Sequence, residues 1–124
     1  MNNRYKTVNL TYLEDISGGD ICFQKELIEI FMNQIPVFLS NMKDYFRKRN
    51  YIKLAKEAHT AKSSVLIFMM EQVGKDLKRI QLLAENKEPD KIPNLLNKVE
   101  TTLNIAVSEL EHCLKTENLP HTFH

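Results

Sequence analysis

The chain has 124 residues, 43% of them hydrophobic and 27% charged, which fits one globular domain with a real core and argues against disorder. Its 17 basic and 16 acidic side chains leave a net charge of +1, which argues against a nucleic-acid binder or a protein held to anionic lipid by bulk charge. Two cysteines, Cys22 and Cys113, neither in a CxxC pair, are too few for a disulfide framework and read as buried free thiols.

The amino terminus, "MNNRYKTVN", lacks the apolar core of a signal peptide. The longest apolar run, "VLIFMM" (Val65 to Met70), is far too short to cross a bilayer. A cytoplasmic location is the default expectation, and Met1 with the compact length fits a free-standing protein. No repeat, low-complexity tract or linker divides the chain, so residues 1–124 are read as a single domain.

Three glycines and four prolines punctuate the sequence, which disfavours an all-β fold rich in tight turns. Breaks are expected at Gly18-Gly19, around Asn50, between Met70 and Gly74, and at "NKEPDKIP" (Asn86 to Pro93). A short opening helix from Leu10 to Ile16 caps one end. Asp20 then reads as the N-cap of a long helix reaching about Arg49, with a stripe through Ile21, Leu27, Ile28, Phe31, Ile35, Phe38, Leu39, Met42 and Phe46. Pro36 falls inside it, and because the periodicity resumes in phase it is expected to bend the helix without ending it.

A second helix is expected from Tyr51 to Phe68 and a third from Glu71 to about Asn86. The last runs from Pro89 or Lys91 to about Thr116, with Ile92, Leu95, Leu96, Val99, Leu103, Ala106, Leu110 and Leu114 on its stripe. Repeated helical stripes with short connections predict an all-α fold, an antiparallel up-and-down four-helix bundle with the short N-terminal capping helix.

Within "LAKEAHTAKSSVLIFMM" (Leu54 to Met70), the core residues Leu54, Ala58, Ala61, Val65 and Phe68 are spaced four, three, four and three apart. At 3.6 residues per turn His59 lies roughly 140° from the centre of that stripe and is expected to face solvent. Around it the wheel places Ile52, Ala55, Lys56, Lys62, Ser63, Leu66, Ile67 and Met70. An apolar patch with a reactive polar centre is the pattern of a docking surface.

A neutral imidazole is a good nucleophile and accepts a phosphoryl group covalently. Lys62, at i+3, supplies positive charge to phosphoryl oxygens, Lys56, at i−3, assists, and Ser63, at i+4, offers a hydroxyl. No carboxylate pair, Gly-rich phosphate loop or nucleotide motif accompanies them. The phosphate must therefore come from a partner, not from ATP. A metal site is the weaker alternative: His112 and Cys113 are adjacent and His121 and His124 lie in the tail, but no spacing puts three ligands on one helix face.

The segment "AHTAKSS" (Ala58 to Ser64) resembles the motif of the histidine-containing phosphotransfer (HPt) domains of two-component phosphorelays. The flanking order is also similar: a "DISGGD" opening, a long helix with an internal proline, the His helix and two more. The resemblance implies that His59 receives a phosphoryl group from the aspartate of a receiver domain and passes it to another. Lys62 would steady the phosphate, and Gln81, by ungapped counting, would approach the histidine from the next helix. It implies a carrier, not an enzyme with kinase activity, acting as a monomer without cofactor, metal or nucleic acid. The expected partners are receiver domains of a hybrid sensor histidine kinase or a response regulator. Two positions depart from the pattern: Ser63 stands where glycine is usual, and Met69 replaces a small residue at the end of the His helix. Ser63 keeps open a second expectation, a bundle that binds a receiver domain or partner helix without carrying phosphate.

Overall fold

The computed structural model of the chain describes residues 5–116. Among these the chain is all helical: α1 (Thr11–Ser17), α2 (Ile21–Arg47), α3 (Tyr51–Ile67), α4 (Glu71–Glu85) and α5 (Ile92–Thr116), with a 3₁₀ turn, Pro89–Lys91, leading into α5. No helix among them is long and apolar enough to cross a membrane.

Caps explain where α2 and α3 begin. The Asp20 side chain accepts from the Phe23 amide at the head of α2, and Asn50 does the same for Lys53 at the head of α3, each satisfying an amide that the helix itself leaves orphaned. The ends of α2, α3 and α4 share another device. In each, the residue after the C-cap is left-handed and non-glycine: Arg49 (φ 57°), Met69 (φ 56°) and Lys87 (φ 54°). The next amide closes back onto the last turn, as in Asn50 to Tyr45, Met70 to Val65 and Glu88 to Leu83, the hydrogen-bond signature of a Schellman motif. Helix α2 is continuous through Pro36.

Packing links the helices in a closed order, α2 with α3, α3 with α4, α4 with α5, and α5 with α2. The α3–α4 pairing is the most extensive. Small residues permit it: Ala55, Ala58 and Ala61 are buried on α3, and Gly74 and Ala84 on α4. Gly74, expected as part of a break, lies inside α4. A Cβ there would meet Leu66 Cδ2 at 2.9 Å and Lys62 Cγ at 3.9 Å. The absent side chain is therefore the space over which α3 lays the stems of Leu66 and Lys62. Leu54, Ala58, Ala61, Val65 and Phe68 are all buried, as their spacing predicted.

The segment before α1 is strapped onto α5 and the end of α3. Both carboxylate oxygens of Glu109 accept from the Thr7 amide, and one also accepts from Val8. The Asn9 amide donates to the Phe68 carbonyl. Val8, Leu10 and Leu13 are buried as a result.

Cys113 is buried as expected, but Cys22 is exposed: it sits in the first turn of α2 on the side away from the buried Gln24 and Ile28. Burial pushes the Cys113 thiol up, against a smaller opposing effect of the Tyr5 hydroxyl.

One buried polar group is incompletely satisfied. Gln24 is fully buried; its Nε2 donates to Ser17 Oγ at 2.9 Å, while its Oε1 has no partner. Flipping the amide does not help, because the Ser17 hydroxyl already donates to the Glu14 carbonyl. Gln24→Met removes the orphaned oxygen at similar volume and is expected to raise unfolding stability by about 1 kcal/mol in urea titrations. A loss of that size would mean that Oε1 is bonded in solution.

Candidate functional site

Helix α3 carries His59 near its middle, on the face opposite its buried stripe, and the side chain is exposed. Helix α4 crosses beside it and brings Gln81 within reach, its Oε1 3.4 Å from His59 Nδ1. Gln81 Nε2 in turn donates to Glu85 Oε2 at 3.0 Å. A carboxylate accepts only, so this bond fixes which end of the amide faces the ring. Oε1 then calls for a proton on Nδ1, which leaves the lone pair on Nε2, the ring nitrogen not engaged by Gln81.

Lys56 and Lys62 flank His59 by one turn on either side. Lys56 is exposed, whereas Lys62 is half-buried, its stem lying over Gly74. Ser63 shares the exposed face, with its hydroxyl 3.5 Å from the His59 carbonyl oxygen, toward which it donates. Thr60 behaves alike, donating to the Lys56 carbonyl at 3.1 Å. These hydroxyls are turned into their own helix.

Two concavities border the histidine face. The larger, of about 550 Å³, runs between the first half of α3 and the last half of α4; Ile52, Ala55, Lys56, His59, Gln81 and Lys87 are on its walls, with Tyr51 and Ala84. Ile52 is 74% exposed. A smaller one, about 360 Å³, joins Ser63, Leu66 and Met69 to Tyr12 of α1.

Of the residues expected around His59, Ile52, Lys56, Ser63 and Leu66 are exposed and Lys62 and Gln81 half-buried. Two are not on the exposed face. Ala55 is 5% exposed because it lies on the α4 side of α3, at the floor of the larger groove. Met70 is 3% exposed because α3 ends at Ile67 and the left-handed Met69 turns the chain, so Met70 becomes the N-cap of α4 and enters the core. Helical projection does not extend past that turn.

Glu85, Tyr51, Ala84 and Lys87 were not foreseen. The one available signal was the spacing of Gln81 and Glu85, four apart on a helix. Among the described residues no three His, Cys, Asp or Glu side chains converge. His112 instead packs edge-on against Tyr5, with the Tyr5 hydroxyl 3.2 Å from its Nδ1. His121 and His124 lie outside the described residues. No family model, curated protein sequence or solved structure matches the chain.

Proposed function

We propose that the chain is a phosphorelay intermediate of the HPt type, an antiparallel up-and-down bundle of α2 to α5 capped by α1. Exposed His59 accepts a phosphoryl group from the phospho-aspartate of a receiver domain and returns it to another. The observation that carries this reading is the Glu85–Gln81–His59 sequence of contacts, which favours the Nδ1 tautomer at an exposed ring with a lysine a turn away. In the transfer, Nε2 forms the N–P bond, the P–O bond to the aspartate breaks, and the carboxylate leaves with its electron pair. The proton on Nδ1 stays against Gln81, and the charge gained by the ring is offset by the incoming phosphoryl oxygens. The chain would be a substrate and donor for receiver domains of a hybrid sensor histidine kinase or a response regulator, with no ATP chemistry of its own.

The test is chemical. Receiver domains charged with labelled phosphate should transfer to the chain a label that survives alkali and is lost in acid, as a phosphoramidate is. Alkali-labile label, or none from any receiver in a broad panel, defeats the proposal. A second reading, receiver binding without transfer, rests on Ser63, whose side chain adds bulk to the histidine face. Stable binding of a receiver with no label acquired would favour it.

A further inference from the structure

Charge is unevenly placed along the chain. Between Lys43 and Lys56 there are six cations and one carboxylate, Asp44. With the whole chain at +1, the remainder is net acidic. The cations gather at the end of the bundle where α2 turns into α3 and along the first turns of α3 leading to His59.

Some of this charge is internally spent. Asp44 pairs with Lys48 and Arg47, and its carboxyl is held below the usual range mainly by the Lys48 hydrogen bond. Lys43 pairs with Glu100. Arg49, Lys53 and Lys56 have no carboxylate partner among the described residues, although Lys53 sits over the Tyr45 ring at 5.9 Å. All three are exposed.

The cationic end is continuous with the His59 groove. Tyr51 forms a wall of that groove and also of a separate hollow of about 730 Å³ lined by Arg47 and Arg49 with one carboxylate, Asp90. On the wall of the groove stands Ile52, 74% exposed, the most exposed of the large apolar side chains among the described residues. An apolar centre in a charged rim is how protein interfaces are built. Nucleic acid calls for a basic face on a clearly basic domain, and this chain is close to neutral at +1, so the exposed apolar centre beside the cations favours a protein face.

We infer that the α2–α3 end, with Ile52 at its centre and Arg47, Arg49, Lys53 and Lys56 around it, is a docking surface for an acidic protein face, that of the phosphoryl donor or acceptor. This rests on the phosphorelay reading above. The surface steers the partner's anionic phosphorylation site toward His59, so it acts on encounter and not on the bond-making step.

The triple variant R47Q/R49Q/K53Q tests it, because it leaves the groove beside His59 untouched and Lys48 still opposite Asp44. The probes are receiver domains charged from labelled acetyl phosphate. At low ionic strength and limiting receiver, transfer to the variant is expected to fall about 10-fold, with little change at saturating receiver. The difference should close at about 1 M salt, where charges are screened beyond about 3 Å. Equal transfer and equal salt dependence in wild type and variant would overturn the inference while leaving the phosphorelay reading intact. So would loss in the variant of binding to duplex DNA or phosphatidylserine vesicles with receiver transfer unchanged. If no receiver labels the wild type, the reading and the inference fall together.

Discussion

His59→Gln is expected to abolish phosphoryl acceptance from a charged receiver domain while leaving the melting temperature nearly unchanged. Glutamine has similar reach and still hydrogen-bonds, but its amide nitrogen lone pair is delocalised into the carbonyl and is no nucleophile. His59 is exposed on the solvent face of α3, and among the described residues its side chain hydrogen-bonds only Gln81. A surface substitution of that kind costs within about 0.5 kcal/mol. Loss of label therefore reports chemistry and not unfolding. His112 supplies the internal control: it is also exposed, on α5, but its Nδ1 lies against the Tyr5 hydroxyl. His112→Gln is expected to label as wild type. Label persisting on His59→Gln and vanishing on His112→Gln would move the nucleophile to α5 and end the proposal for α3.

The parts of the fold that were legible from sequence were those with local physical signals. The cap residue Asp20 could be placed because a side-chain acceptor before an apolar stripe has one good use, binding the orphaned first-turn amides, whereas Asn50 was read only as a break. The stripe Leu54, Ala58, Ala61, Val65 and Phe68 could be placed because burial follows the helical period. Helix ends were harder. Arg49, Met69 and Lys87 adopt the left-handed conformation that glycine usually marks, so residue type gave no sign of the turn geometry. Met70 was misplaced for that reason: the wheel assigned it to a face that the chain had already left. Ala55 shows a different ambiguity, since a methyl side chain suits an exposed face or a close helix contact equally well. Gly74 is similar, because a glycine needed for the approach of Leu66 looks in sequence like a glycine that ends a helix.

The site was legible to the same depth. The exposure of His59 follows from the wheel, and Gln81 came from the family resemblance by ungapped counting, but the arrangement of Gln81 against His59 depends on how α4 crosses α3. The spacing of Gln81 and Glu85 was too weak a signal to mark Glu85 as a partner, because exposed helices carry many polar pairs four residues apart and few of them orient anything. Its consequence appears only when the Gln81 amide is seen with one end on a carboxylate and the other on an imidazole.

Phe68→Ala is expected to be the most damaging single truncation in the molecule for stability. Phe68 is the C-cap of α3 and is 2% exposed, and its ring stacks on Phe31 of α2, also 2% exposed, with centroids 4.3 Å apart and planes 13° from parallel. Its carbonyl also accepts the Asn9 amide that straps the segment before α1. The ring thus ties the end of α3 to α2, while the backbone bond to Asn9 is kept in the variant. Large aromatic truncations in cores cost about 3–5 kcal/mol, a large share of the roughly 5–15 kcal/mol that a domain of this kind has in total. The expected loss of melting temperature is on the order of 10–20 °C. Phe23→Ala, at a site 40% exposed, is the matched control and should cost less than about 1 kcal/mol. Combining Phe68→Ala with Phe31→Ala should cost less than the two singles added, by about 0.5–1.5 kcal/mol for the lost ring pair. Urea titrations of the four variants decide it. Strict additivity, or a Phe68→Ala cost no greater than that of Phe23→Ala, would mean that the two rings do not stack in solution and that α3 does not end against α2 in this way.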